Sequence, residues 1–278
     1  MVSIHNVDTK VVDGFGDEWS RFDQAAVSET EILRMFEAYF SIFPWEILPP
    51  RAEGFDAGCG SGRWARIVAS RVCVLNAIDA SPEALAVARR NLTNRGNVRF
   101  FHASVADMPL PDASQDFGYS LGVLHHIPDT RAGLKACVRK LKPGAPFLVY
   151  LYYRFDNRPL WFRIMWHASD HVRRVVSRLP HGARYSISQI LAGLLYWPLA
   201  RLAALVERCG GAPHAIPLSY YRHSSLYTMR TDALDRFGTR LEKRFTRREI
   251  AAMLESAVLS NIRFRDAEPF WCAVGFRR

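Results

Sequence analysis

Residues 51–152 alternate short apolar runs with helical patterns, and that alternation restricts the chain more than any other feature. Glu53 to Ala57 reads as a strand running into a glycine-rich loop, Arg63 to Arg71 as a helix, and Cys73 to Ile78 as a buried strand closed by Asp79. Ser81 is placed to cap the next helix, with Pro82 at its first position. Val98 to His102 and Asp116 to Leu121 follow as strands, Ala132 to Leu141 as a helix, and Pro146 to Tyr152 as a fifth strand. Strands separated by helices pair in parallel, because each crossover needs a helix to return the chain to the same end of the sheet.

The flanking regions follow other rhythms. Residues 17–48 read as helical, with Asp17 as a cap and Ile32, Leu33, Phe36, Tyr39, Phe40 and Phe43 at helical spacing. Pro44 and Pro49-Pro50 end that stretch. Residues 153–245 are rich in aromatics, Arg and Pro and read as helices and loops, the size of a lid or substrate module. Within them Ile187 to Val206 is the most apolar stretch. Its unbroken core, Ile190 to Ala200, is 11 residues long, too short to span a bilayer. A buried helix is the expectation, and an interfacial helix flanked by Arg the alternative. Thr246 to Leu259 reads as a helix opened by a Thr246–Glu249 capping box. Ile262 to Arg265 and Trp271 to Phe276 then close the fold as two strands. The expected class is α/β: a doubly wound, mostly parallel seven-stranded sheet. Its expected parts are a helical cap (1–50), a ligand-binding core (51–152), an insertion (153–245) and a closing segment (246–278).

Composition narrows the setting. Five cysteines, an odd number with no CxxC pair and no His cluster, argue against a disulfide framework and against a structural zinc; no metal is expected. The first residues, MVSIHNVDTKVVDGFGDEW, have neither a basic n-region nor an apolar h-region, so a cytoplasmic protein is expected. Charge is unevenly placed. Residues 1–150 hold 16 Lys+Arg against 17 Asp+Glu, whereas residues 151–278 hold 21 against 10. Such a half is either a solvated basic face or one drawn to an anionic substrate or a membrane surface. No motif points to nucleic acid.

The chemistry sits in Phe55-Asp56-Ala57-Gly58-Cys59-Gly60-Ser61-Gly62, between the first strand and a helix. Glycine lets the backbone turn tightly and a ligand approach. A dinucleotide fingerprint would want a glycine at position 63, which is Arg63. Asp56 adds a carboxylate beside the loop, ill suited to a pyrophosphate and well suited to a cationic cofactor. Asp79, at the tip of the next strand, can take both hydroxyls of a ribose.

On these residues, together with ADMPLPDASQDFGYSLGVLHHIPD (106–129) and LKPGAPFLV (141–149), the chain resembles the class I S-adenosylmethionine (SAM)-dependent methyltransferases. Within them it resembles the family that includes the ubiquinone/menaquinone C-methyltransferases. The likeness covers 51–152 well and 246–278 loosely. It implies that Gly58, Cys59 and Gly60 line the methionine portion of SAM, and that Asp79, followed by Ala80, binds the ribose. It implies that the segment after the third strand holds the adenine. That segment is Ala103-Ser104-Val105 where relatives commonly carry Gly-Asp-Ala, so Ser104 replaces the usual Asp. Leu121 would stand at the lip where sulfonium and acceptor meet. In resembling enzymes an N-terminal helix closes over SAM, which makes Trp19 either a lid residue or plain core.

Ser120-Leu121-Gly122-Val123 lacks the Asn/Asp-Pro-Pro-aromatic run of enzymes that methylate base amines. Methyl transfer from a sulfonium needs mainly alignment, and a base only if the nucleophile arrives protonated. Candidate bases are His125, His126, Tyr152, Tyr153 and His223. The run Ser219 to Tyr227 gathers Tyr220, Tyr221, Arg222 and Tyr227, aromatic and bidentate groups suited to an anionic acceptor, with Arg154 able to serve the same anion. The reading is a methyltransferase acting on a small anionic or amphipathic acceptor, with O-methylation favoured. The alternatives are C-methylation of a quinone-like or lipid-like acceptor, a non-catalytic membrane- or partner-binding module, and a nucleotide-dependent oxidoreductase, against which Arg63 speaks.

Overall fold

Alternating apolar runs become strands whose two faces are both covered. In the computed structural model, which describes residues 5–278, these are β1 (Glu53–Ala57), β2 (Val74–Asp79), β3 (Val98–His102), β4 (Phe117–Leu121), β5 (Pro146–Tyr150), β6 (Leu259–Phe264) and β7 (Cys272–Arg277). Among the described residues they form one seven-stranded sheet in the order β3-β2-β1-β4-β5-β7-β6. The first five are parallel, and β7 runs antiparallel between β5 and β6. Phe55, Phe117 and Phe147 have no solvent exposure, as expected where helices cover a parallel sheet on both sides.

The register of the two central strands is locked by paired glycines. Gly54 lies opposite Phe117 and Phe55 opposite Gly118. A Cβ on Gly54 would come within 2.2 Å of the Phe117 ring, and one on Gly118 within 2.3 Å of Phe55. One phenyl ring therefore crosses the neighbouring strand on each face, and slipping by one residue would exchange ring for backbone.

The chain divides into two compact units. One comprises the stretch ending at Gln24, Leu33–Asp156 and Leu241–Arg278; the other is Ala25–Ile32 with Asn157–Arg240. Residues 1–50 thus form no separate unit. The sheet unit carries α1 (Thr9–Arg21), most of α2 (Glu29–Phe40), α3 (Ala65–Val68), α4 (Pro82–Asn91) and α5 (Thr130–Lys140). The expected helix over 17–48 is corrected in two ways. Asp8, not Asp17, is the cap, its side chain accepting from the N–H groups of Lys10 and Val11. Asp17 sits within α1 and pairs with Arg21 one turn on. The expected helix over 63–71 shortens to the single turn of α3. Ser81 does cap α4, accepting from the Ala84 N–H.

The helical unit contains α6 (Leu160–Val176), α7 (His181–Leu191), a π turn (Ala192–Tyr196), α8 (Trp197–Arg208) and α9 (Leu226–Gly238). Around α9, Met229, Ala233 and Phe237 pack with Val176, Ala192, Tyr196 and Ala200. Two buried guanidinium groups close its carboxyl end. Arg184 donates to the Gly238 carbonyl (2.8 Å) and Arg173 to that of Thr239 (3.0 Å), where the helix dipole is negative.

The buried-helix expectation for Ile187–Val206 is overturned and the apolar helix is longer than expected, while the interfacial alternative stands. The segment belongs to one continuous helix, His181–Arg208, of 28 residues, long and apolar enough by length and composition to cross a membrane. It is not a buried helix, since 22% of its apolar window is buried. Pro198 does not break it. The π turn immediately before widens the hydrogen-bond ladder where a proline would otherwise collide with it. In the sheet unit, α10 (Arg247–Ser256) opens with the expected capping box of Thr246 and Glu249.

Candidate functional site

The carboxyl ends of β1 to β4 open onto one edge of the sheet, around the reversal of strand order between β1 and β4. In doubly wound sheets that reversal leaves a crevice. A pocket lies there, with about 920 Å³ of free space counting the solvent at its open mouth.

Its base is the glycine loop. Gly58 (φ +85°) and Gly60 (φ +53°) adopt backbone conformations that favour glycine. The N–H groups of Gly58 and Cys59 donate to the Ile78 carbonyl at 2.8 and 3.0 Å, which ties the loop to the end of β2. The half-buried indole of Trp19 lies over Gly60, where an added Cβ would come within 2.9 Å of it. Trp19 lines the pocket rather than filling the core.

Asp79 and Ala80 also line it. One Asp79 oxygen accepts from the Gly60 N–H (2.8 Å) and the other from Ser81 (2.9 Å). Burial raises its pKa, and the N–H groups of Ser81, Gly60 and Ala80 oppose the rise. A carboxylate offers about four acceptor sites, so an acceptor direction remains for a ribose hydroxyl.

Asp56 needs correcting. It is 1% exposed, it is not among the lining residues, and burial pushes its carboxyl up to about 8, against the opposing Tyr119 hydroxyl. With that carboxyl near 8 it is mostly protonated at pH 7, which makes it a weak anion for a cationic cofactor. Ser104 and Val105 line the pocket, but the Ser104 hydroxyl donates to Asp107 (2.9 Å) and accepts from its N–H. Asp107 is itself bonded by the His5 backbone N–H. The Ser104 hydrogen is therefore already placed, and the hydroxyl keeps one acceptor direction for an amino group such as adenine N6.

The loop after β4 supplies Leu121, Val123 and His126. His126 Nδ1 is 2.7 Å from the Leu241 carbonyl. A carbonyl only accepts, so Nδ1 carries the hydrogen and Nε2 is the basic nitrogen. Phe15 packs against this ring at 5.0 Å. His125 is fully buried, is not a lining residue, and stacks on Tyr152 at 3.8 Å. Burial holds its pKa well below the ordinary value, with His126 and Arg244 adding to the effect, so it is a neutral packing group. Tyr153 joins an aromatic cluster with Phe155 and Phe270. Arg154 donates to the Arg244 carbonyl and to Glu249; neither lines the pocket.

The residues expected to meet an acceptor from 219–227 are engaged within the helical unit. Arg222 donates to Glu207 (3.0 Å) and to the Ser219 carbonyl. His223 pairs with the same Glu207 at 2.8 Å. Tyr221 packs against the α9 cluster and against Tyr196 and Tyr220. The Tyr227 carbonyl accepts from Thr231. The side chains of Tyr221, Arg222 and His223 are thus engaged within the unit, and none of the run lines the pocket at the sheet edge.

Several site residues escaped the sequence reading. Val11 and Val12 of α1 stand beside Phe15 as a wall of the pocket; the signal was Asp8-Thr9 ahead of apolar residues at 11, 15 and 19. Asn6 clasps the segment to the loop after β4. Its amide donates to the Asp129 carbonyl (2.8 Å) and accepts from the Asp129 N–H (2.7 Å). Arg63, read only as a missing glycine, is the sole Lys or Arg among the described lining residues. It lies 4.2 Å over the Trp64 ring. Among the described residues no group of three or more His, Cys, Asp or Glu is placed to hold a metal ion.

The lining residues fit SAM on their own chemistry. Asp79 offers an acceptor to a diol, Gly58 and Gly60 leave the base open at their two positions, and Arg63 is a cation for a carboxylate.

Comparison with known proteins agrees. The methyltransferase-domain family matches residues 55–149. A ubiquinone biosynthesis O-methyltransferase of Xanthomonas oryzae is 30% identical over 174 residues, 56% of this chain and 72% of that protein. A methyltransferase of Mycobacterium tuberculosis is 32% identical over 129 residues, 46% of this chain; the chain spans 65% of its length. Among solved structures, an O-methyltransferase family protein from Burkholderia thailandensis has a TM-score of 0.54 at 16% identity, covering 97% of this chain and 60% of that one. YcgJ from Bacillus subtilis gives 0.50 at 16%, covering 85% and 70%. At these identities the two structures share the fold.

Proposed function

Because the chain belongs to the class I SAM-dependent methyltransferases, we propose that it transfers a methyl group from SAM to a hydroxyl of a small amphipathic or anionic acceptor. When bound, SAM supplies the activated methyl group on its sulfonium. The residues of the chain bind, align and exclude water. Asp79 would hold a ribose hydroxyl on its remaining acceptor direction, and Arg63 the amino-acid carboxylate. Val105 and Leu121 would supply apolar walls, and Trp19 with Phe15 would keep water from the methyl group.

The observation that carries O-methylation is His126. Its Nδ1–H···O=C bond to Leu241 fixes the tautomer that leaves Nε2 basic, and the residue lines the pocket. An acceptor hydroxyl would give its proton to Nε2 as the oxygen attacks, and the Leu241 carbonyl would steady the resulting imidazolium. The Xanthomonas relatives, named for O-methylation in ubiquinone biosynthesis, favour a phenolic, amphipathic acceptor.

Calorimetry with SAM and S-adenosylhomocysteine tests the cofactor, with micromolar binding of both expected. Transfer of labelled methyl to phenolic, quinone-like and carboxylated compounds then tests the acceptor. His126→Gln should lower kcat at least a hundredfold and leave SAM affinity unchanged. A C-methylated product, or full activity in that variant, would remove His126 as the base.

A further inference from the structure

The His181–Arg208 helix turns its small residues inward and its large apolar residues outward. Ser188, Ala192, Ala200 and Ala203 have no exposure. Leu194 is 77% exposed, Ile190 58% and Leu205 57%, with Trp197 and Leu202 also exposed. A helix facing water shows the opposite order. α6 repeats the arrangement. At 100° per residue, its exposed Leu160, Trp161, Ile164, Met165, Val172 and Val175 fall within a sector of about 140°. Asp170, Arg173 and Val176 occupy the buried side, and exposed Arg163 and Arg174 lie on the border between the two.

The charge around these faces is of one sign. Segment 157–240 holds twelve Arg and four acids. Asp170 is surrounded by Arg173, Arg174 and Arg236, and Glu207 is bonded by Arg222 and His223. The two acids on these helices are therefore already neutralised. Large apolar residues beside a threefold excess of Arg over acids, with tryptophans among them, are the chemistry of a helix lying at an anionic membrane surface.

We propose that the helical unit docks on an anionic lipid bilayer through the exposed faces of α6 and of the His181–Arg208 helix, lying in the headgroup boundary. The helix does not cross the bilayer. Its other side is packed on Met229 and Ala233, and its Arg184 is bonded to the Gly238 carbonyl; in hydrocarbon those polar groups would be stranded. A second copy of the chain is the poorer occupant, since pairing would bring two cationic rims together. The proposal stands apart from methyl transfer and from the identity of the acceptor.

The test is flotation of the full chain with vesicles of phosphatidylcholine alone and with a third of phosphatidylglycerol. Binding to the anionic vesicles, weakening as salt is added, is expected. Leu194→Asp with Leu205→Asp should lower partitioning at least tenfold, with circular dichroism and SAM binding unchanged. Arg163→Glu with Arg208→Glu should lower binding to anionic vesicles several-fold without changing the phosphatidylcholine baseline. Should the double leucine variant unfold, Leu194→Asp alone carries the comparison. No binding to either vesicle overturns the proposal. So does a dimer, seen by sedimentation velocity, that the leucine substitutions dissociate.

Discussion

The sheet unit places Phe55, Phe117 and Phe147 at zero exposure, whereas the helical unit places Ala192, Ala200 and Ala203 there and leaves Leu194 at 77%. The first is a core of large rings held in register by glycines, as a site with fixed donors and acceptors requires. The second uses small contacts and replaces ring packing with arginine bonds to helix ends. A unit built that way keeps its largest apolar surfaces for something other than itself.

The contrast can be broken by experiment. The largest effect is expected from Arg173→Ala, which leaves Asp170 without its buried partner and the Thr239 carbonyl without its donor; a loss of roughly 3 kcal/mol is expected in urea unfolding. A loss below about 1 kcal/mol, the size of an exposed pair, would mean that arginine bonds do not hold the helical unit together. In the sheet unit, Gly54→Val should cost about 2 kcal/mol by overpacking against Phe117; a neutral result would remove the ring-and-glycine lock. Asp79→Ala should weaken SAM binding at least tenfold, since hydrogen bonds to a charged acceptor are lost. Unchanged calorimetric affinity would sink the ribose assignment.

A pH series sharpens the same comparison. Asp56 keeps its proton in the fold up to about pH 8 but loses it near 3.8 when unfolded. The unfolded chain then binds fewer protons, and stability falls as pH rises from about 4 to 8. Buried His125 acts oppositely, costing stability only below about pH 6.5, where the unfolded ring gains a proton that the folded one does not. Asp56→Asn read between pH 6.5 and 8 isolates the aspartate, and a flatter profile than the parent's is expected. The smallest effect is Ser81→Ala, about 1 kcal/mol for a lost helix cap; thermal unfolding that does not shift would leave α4 without need of its cap.

Local rules read the sheet well. β1 and β3 have the expected bounds, and the Ser81 cap and the Thr246 capping box rest on neighbours within four residues. The glycine loop and Asp79 were legible because a strand end fixes where its next residues go. Other features depend on distant partners. Nothing local shows that Arg222 would choose Glu207 fifteen residues before it. The 11-residue apolar run misled because length was counted along the sequence, while exposure is decided by face. The π turn carried the helix through Pro198, and no propensity announces it.

The Asn6 clasp makes one amide into a clock. The Asp129 N–H is bonded to the Asn6 side chain, and Asn6 is joined to α1 through Val7 and Asp8, which also line the pocket. That hydrogen exchanges with solvent only while the clasp is open. Its deuterium uptake therefore counts how often the amino-terminal strap lets go, and slower uptake with a bound ligand would measure how firmly the ligand holds that strap shut.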